Sequence, residues 1–444
     1  MSVTPEPGLR RAAEAGNPAA QADLGILYFS HREYAAAVPW LQKAAERGVA
    51  PACNLLGLMH LNGIAVDQQP ERAAQYLERA AAQGLKEACY TFANLLFNGI
   101  GTAVDEARAW KLLLQAARLG HVPALRALGL LHLLANSQAQ ADACLRVAAR
   151  QGDALAQYLL GRQMLARETP REQAEGIYWL RQAAERRVTL AVAGLQKLAA
   201  LDGGQRMQRL MQAAGPLTAG SAAALKLTVP NLREFQHTLA AEELSVGVLY
   251  EIKGVLPPLL CEHFINVAAP ALLPSSVADP VTGAIMQNAM RTSSSMYFPL
   301  SMCDFITGLT LRRLAALVER EPRHAEPFAI LHYQPGQEYK PHRDYFTSQG
   351  NREELVDGRG GQRDITIMVY LNEVEAGGET DFPLLGACVA PELGKAVKFL
   401  NLDAQGKPNT LTLHAGKPVL RGEKWLLTVW FRQRPFVWGV LQKP

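Results

Sequence analysis

No stretch of the 444 residues approaches the run of about 20 apolar residues that spans a bilayer. The opening Met1-Ser2-Val3-Thr4-Pro5-Glu6-Pro7-Gly8 lacks the charged start and apolar core of an export signal. The expectation is therefore a chain without a membrane span, at work in the cytoplasm. Cysteine is sparse. Cys53, Cys89, Cys144, Cys261, Cys303 and Cys388 form no C-x-x-C pair, which excludes a disulfide-stapled small fold and gives no basis for a zinc cage. Dense basic runs are missing too, and the formal net charge is only +4, so nothing points to nucleic acid. Apolar residues at 49% and charged residues at 19% exclude wholesale disorder. The length suggests two or three units.

What is present in the first half is a repeat. An Ala-Ala-x-x-Gly phrase ends at Gly48, Gly84, Gly120 and Gly152, and a first copy ends at Gly16, with spacings of 32, 36, 36 and 32 residues. Nine positions after each glycine comes a small residue: Gly25, Gly57, Ala93, Gly129 and Gly161. Two signals in one phase predict paired helices with a glycine turn, in which no unit buries its apolar stripe alone and stacking supplies the core. A last copy, Ala183-Ala184-Glu185-Arg186-Arg187, puts Arg187 where the glycine belongs, as suits a terminal unit. Cys53 and Cys89 fall at one helical position a unit apart and read as core packing. His31, His60, His121 and His132 share no metal-type spacing. The pattern resembles Sel1-like repeats, relatives of the tetratricopeptide array, over residues 1–200.

Residues 201–245 lose the periodicity and read as a linker with some helix, punctuated by Gly203-Gly204 and Gly215-Pro216. Beyond them, over 246–440, short runs of β-branched and aromatic residues such as Ile365-Thr366-Ile367-Met368-Val369-Tyr370 and Trp425-Leu426-Leu427-Thr428-Val429-Trp430 alternate between Gly and Pro turns. That is the signature of an antiparallel sandwich or barrel, with a buttressing helix around 309–321.

His342-Arg343-Asp344 follows the turn at Pro335-Gly336, and extended backbone sends residues two apart to one side. An isolated H-x-D means little. Seventy residues later His414 ends an apparent strand and Lys424 opens the next. Two imidazoles and one carboxylate can occupy one face of an iron ion, leaving the opposite positions for substrate and oxygen. Lys424, Leu426, Thr428 and Trp430 share a sheet face, and a lysine inside a sandwich calls for a carboxylate that a small dicarboxylate cosubstrate would supply.

With Arg291-Thr292-Ser293, the run from Tyr333 to Asp344, Tyr370-Leu371-Asn372, Gly377-Gly378-Glu379-Thr380-Asp381-Phe382-Pro383 and the phrase at 279–283, the segment resembles the prolyl 4-hydroxylase family of Fe(II)- and 2-oxoglutarate-dependent dioxygenases. The resemblance implies a double-stranded β-helix after the helical repeat solenoid. It also implies His342, Asp344 and His414 as iron ligands and Lys424 as partner of the distal carboxylate of 2-oxoglutarate. Tyr333, Thr428, Trp430 and Tyr370 would line the cosubstrate pocket, and Arg363 would touch substrate. Residues 346–362 would form a mobile lid. Fe(II), 2-oxoglutarate and O2, with ascorbate as reductant, would serve to hydroxylate an unactivated C–H. The leading target is a prolyl residue of a peptide or protein recruited by the repeats. Another side chain, a free amino acid or a metabolite is the second reading. A repeat-based adaptor with an inactive oxygenase half is the third, and the intact set of His342, Asp344, His414 and Lys424 argues against it. Oligomeric state is left open.

Overall fold

The computed structural model describes residues 3–200, 205, 208–210, 227–233, 235, 241–245, 247–275, 277–278, 285–286, 290–346 and 359–436. The phrase at 279–283, residues 347–358 of the expected lid, and most of 201–240 lie outside the described residues.

Alanine- and leucine-rich segments give α1 (Pro7–Glu14), α2 (Pro18–Ser30), α3 (Tyr34–Glu46), α4 (Ala50–Asn62), α5 (Pro70–Ala82) and α6 (Lys86–Asn98), with a proline in the first turn of α1, α2, α4 and α5. The series continues with α7 (Glu106–Arg118), α8 (Val122–Leu134), α9 (Gln138–Arg150), α10 (Ala154–Leu165), α11 (Pro170–Glu185) and α12 (Thr189–Ala200). Asn17, Asp105, Asp153 and Thr169 accept backbone N–H groups of the first turns of α2, α7, α10 and α11, meeting donors that would otherwise be orphaned. The repeat glycines Gly16, Gly48, Gly84, Gly120 and Gly152 all adopt φ between 76° and 89°. Arg187 adopts φ 60° in the same role, so the last copy keeps the left-handed turn without its preferred residue. A Cβ at Gly57 would meet Leu77 of α5 at 2.6 Å, and one at Gly129 would meet Leu145 of α9 at 2.6 Å, which is why the second signal selects small residues. The first helices of successive hairpins form a row in which α2 touches α4 and α8 touches α10. Cys53 and Cys89 are buried, unpaired thiols, as packing requires.

The C-terminal half is built from β1 (Glu242–Ser245), β2 (Leu249–Ile252), β3 (Leu273–Pro274), β4 (Val277–Ala278), β5 (Ile285–Met286), β6 (Ser294–Tyr297), β7 (Ala329–Tyr333) and β8 (Tyr339–His342). It continues with β9 (Arg363–Tyr370), β10 (Ala376–Gly377), β11 (Thr380–Phe382), β12 (Ala387–Val389), β13 (Ala396–Leu400), β14 (His414–Gly416), β15 (Val419–Arg421) and β16 (Lys424–Arg432). A major antiparallel sheet runs β1-β2-β13-β9-β16-β7-β6-β3, and a minor sheet runs β12-β11-β14-β8. Glu242–Ser245, expected within the linker, is the edge strand of the major sheet.

Period-two alternation sorts the major sheet's side chains. Ile330, Ile365, Ile367, Val369, Trp425, Leu427, Val429 and Phe431 join one core with the helices Pro258–Ala268 and Phe305–Leu317 and with the repeat array. Leu331, Tyr333, Met368, Tyr370, Leu426 and Trp430 form a second core with Phe382 and Val389 of the minor sheet. The expected helix at 309–321 starts four residues earlier, because Asp304 accepts the N–H groups of Ile306 and Thr307 at 3.0 Å and so fixes the start. His414 begins a strand rather than ending one. Asn409 caps a 3-10 turn over Thr410–Thr412, and β15 intervenes before Lys424.

Candidate active site

β8 and β14 pair antiparallel with His342 opposite His414, which brings the two rings to 4.2 Å between centroids. Asp344 lies two residues past His342, buried. His342 Nε2 is 3.7 Å and His414 Nε2 3.9 Å from the same Asp344 Oδ1. The ligand-capable atoms of the three residues all lie within 4.8 Å of one another.

The remaining atom of each side chain is occupied. His342 Nδ1 sits 2.8 Å from the Lys340 carbonyl and His414 Nδ1 3.0 Å from the Thr412 carbonyl. A carbonyl can only accept, so each ring carries a proton on Nδ1, which leaves Nε2 as the nitrogen turned toward the cluster. Thr366 Oγ1 donates to Asp344 Oδ2 at 2.7 Å and accepts from Asn401 Nδ2 at 2.8 Å, leaving Oδ1 free. Burial, reinforced by His414, pushes His342 down to about 3. Burial alone would raise Asp344, but His414, His342, Arg363 and the Thr366 hydrogen bond hold it below the usual carboxylate range. A neutral His342 beside an ionised Asp344 is the protonation state a divalent ion needs of them. The donor set, two imidazole nitrogens and one carboxylate oxygen brought together, fits iron.

Lys424 opens β16 opposite Tyr333 of β7, and its Nζ stands 5.4 Å from the ring centres of both Tyr333 and Tyr370. The side chain is buried, and no carboxylate forms an ion pair with it among the described residues. Burial pulls its ammonium down to about 7, opposed only by the charge of Glu379. Thr428 Oγ1 and Trp430 Nε1, farther along the same face, are buried without a hydrogen-bond partner among the described residues. A buried cation without its anion and two orphaned polar atoms on one wall fit a small dicarboxylate. Tyr370 is less available, since its hydroxyl lies 2.7 Å from Thr380 Oγ1 and donates to the Val389 carbonyl at 3.2 Å.

Arg363 is held rather than free. Its guanidinium makes two bonds to Glu326, 2.7 and 2.8 Å, and lies 4.0 Å over the Trp430 ring. Arg432 shares Glu326 at 2.5 Å. Neither Glu326 nor Thr366 was expected in the site. Thr366 left a trace in the sequence, being a hydroxyl in an apolar strand on the face of Met368 and Tyr370. Glu326 left none. Tyr339, expected only as part of a phrase, stacks on His342 with centroids 3.4 Å apart, and Arg291 lies 5.1 Å over the Tyr339 ring.

The family profile of the 2OG-Fe(II) oxygenase superfamily matches residues 328–432, and that of the Sel1 repeat matches 18–49, 50–85, 86–121 and 154–187. Among Arabidopsis thaliana proteins, probable prolyl 4-hydroxylase 7 is 36% identical over 206 residues, which cover 42% of this chain and 63% of the relative. Probable prolyl 4-hydroxylase 6 is 34% identical over 203 residues, covering 41% of this chain and 68% of the relative. The crystal structure of the collagen prolyl hydroxylase of Paramecium Bursaria Chlorella virus-1 with 2OG is 27% identical, covers 42% of this chain and 96% of its own, and has a TM-score of 0.33. The first relatives are thus spanned over a little less than two-thirds of their length. With the facing imidazoles, the free carboxylate oxygen and the match to these relatives in hand, the chain belongs to the 2OG-Fe(II) oxygenase superfamily and carries Sel1 repeats ahead of that domain.

Proposed function

We propose that this protein is an Fe(II)- and 2-oxoglutarate-dependent dioxygenase that hydroxylates a prolyl residue of a peptide or protein. The observation that carries the reading is the pairing of a three-donor cluster, His342, Asp344 and His414, with the unpaired buried Lys424 on the same inner face. Iron, 2-oxoglutarate and O2, when bound, would supply oxidative decarboxylation to succinate and CO2 with one oxygen atom placed on a C–H bond.

The chain's own part is orientation and exclusion of water. Lys340 and Thr412 carbonyls hold the two rings so that both Nε2 atoms point at one place. Thr366 and Asn401 aim Asp344 Oδ1 at the same place. Lys424 takes the distal carboxylate, with Thr428 and Trp430 as hydrogen-bond donors along that wall and Tyr333 beside it. Phe382 and Phe399 pack against the His414 ring at 5.5 and 4.7 Å and keep that side dry. Tyr339 stacks on His342 and Arg291 lies over the Tyr339 ring, so the pair holds the His342 ring in place. The names of the relatives favour proline over other targets. Ascorbate would restore iron after uncoupled turnover. Recruitment of a polypeptide by the repeats and a cytoplasmic setting complete the reading.

The test is succinate formation from 2-oxoglutarate with Fe(II), ascorbate and air, run with proline-containing peptides and read by mass spectrometry. A hydroxyl-mass increment on proline, lost in His342→Ala, is the expected result. Turnover that modifies a different residue or a small molecule would correct the substrate. No turnover in folded, iron-loaded protein would overturn the reading.

A further inference from the structure

The row of first helices in the repeat array is covered along most of its length. α4 packs on the 3-10 turn Leu300–Met302, and α6 and α8 pack on the helix Phe305–Leu317. The Phe97 ring of α6 stacks on Phe305 at 4.2 Å, and Trp110 of α7 lies 4.7 Å from the same ring. Asn98 Nδ2 donates to the carbonyls of Cys303 and Asp304 at 3.3 and 3.2 Å. Arg312 donates to the Phe97 carbonyl and pairs with Glu106 at 2.6 Å. Farther along, Tyr158 of α10 donates to Glu262 at 2.9 Å, with Arg162 2.7 Å from the same carboxylate. The Leu190 N–H of α12 donates to Asn266 Oδ1 at 3.0 Å.

We infer that the first-helix row of the array is a docking face whose occupant is the chain's own oxygenase domain, so that the array is a fixed wall of that domain and not a detachable peptide-binding arm. The chemistry of the contact supports this. Stacked aromatic rings in an apolar core mark an obligate interface, and the buried carbonyls and the Glu262 carboxylate at its margin are met by side chains of the array. The array and the two domain helices also share one continuous apolar core with the outer face of the major sheet. The metal-type cluster stands on the other face, inside the sandwich. A polypeptide lying along the first-helix row would have to displace the domain and would still be separated from the site by the sheet. Recruitment, where the array takes part in it, falls to the outer helices α5, α7, α9 and α11.

Gly308 gives a test that needs no turnover. It lies within the helix Phe305–Leu317, where alanine is the better helix former. In the docked arrangement a Cβ there would collide with Asn98 Oδ1 and stand 3.0 Å from Phe97 Cδ1. Thermal melting of the full-length chain is measured for wild type, Gly308→Ala, Asn98→Ala and the double variant. The expected result is a fall of several degrees in Gly308→Ala that shrinks markedly in the Asn98→Ala background. A Gly308→Ala melting temperature that is unchanged or raised, and equal in effect in both backgrounds, would overturn the inference. Should Gly308→Ala not fold, the milder pair Tyr158→Phe and Glu262→Gln asks the same question. Losses that are less than additive are expected, and strict additivity overturns it. Because the readout is melting, the proposed activity can fail while this inference stands, and the reverse.

Discussion

The two faces of the major sheet are both largely apolar, and they differ in the charge and the polar groups that one strand encloses. On the outer face Trp425, Leu427, Val429 and Phe431 interlock with two helices and the repeat array. On the inner face the same strand presents Lys424, Thr428 and Trp430, a cation without an anion and two polar atoms without partners among the described residues. Folding alone does not favour such a face, because each unmet buried polar group costs about 1–3 kcal/mol. What the contrast teaches is that a ligand site can be read as a deficit. The outer face leaves the Trp425 indole N–H unmet among the described residues but encloses no charge from this strand, whereas the inner face encloses a cation whose anion is left for something bound.

Removing the metal-type donors should show this most strongly. His342→Ala and Asp344→Ala are expected to lose bound iron and 2-oxoglutarate turnover to background while still folding, with a modest fall in melting temperature from the lost Tyr339 stack or Thr366 hydrogen bond. Metal content, turnover and melting measured together check it. Retained iron in either variant would show that the cluster is not the metal's seat.

The inner face is not uniform, and its satisfied end offers the reverse experiment. Glu326 is buried between Arg363 and Arg432, and their charges and hydrogen bonds hold its carboxyl below the ordinary range although burial alone would raise it. Glu326→Gln removes the carboxylate that the two guanidiniums share, at a cost of about 3–5 kcal/mol in stability. Denaturant unfolding is the check, and a loss below about 1 kcal/mol would mean the trio is well solvated. Lys424→Met should do the opposite at the unsatisfied end. The ligand-free protein is expected to be as stable as wild type or more so, while the KM for 2-oxoglutarate rises by roughly 30-fold or more, as for a buried charge pair worth about 2–5 kcal/mol. Thr366→Val leaves Asp344 Oδ2 without its donor and should weaken iron binding about 10- to 100-fold.

How much of this was legible in the sequence differs by kind of interaction. The repeat glycines announced themselves because a left-handed turn admits few residues, and Arg187 shows how the register persists when the residue does not. Strand alternation placed Lys424, Thr428 and Trp430 on one face, since the period of two is a property of extended backbone. The start of the Phe305–Leu317 helix was misplaced because its determinant, Asp304, is a single side chain ahead of an apolar run. Glu326 and the docking of Asn98 onto Cys303 and Asp304 had no local signature at all. Their partners are brought near by the packing of whole elements, 37 residues away in one case and more than 200 in the other.

The most gradual effect expected, and the one that tests the deficit most directly, is the pH dependence of cosubstrate binding. With its ammonium pulled down to about 7 by burial, Lys424 in the ligand-free protein is charged below that pH and increasingly neutral above it. A dicarboxylate binds the charged form, so binding takes up a proton above about pH 7, and the KM for 2-oxoglutarate should climb by up to tenfold per pH unit there and flatten below. Stability of the ligand-free protein should move the other way. An unfolded lysine titrates near 10.4, so between about 7 and 10 the unfolded chain holds the extra proton, and this group's contribution to stability rises with pH. Below about 7 both states are charged and the burial penalty stands in full. Opposite slopes in KM and in ligand-free melting, both abolished in Lys424→Met, are the expected pair. A KM that stays level from pH 6 to 9 would show that the lysine already has an anion of its own, and the contrast between the two faces of the sheet would lose its strongest member.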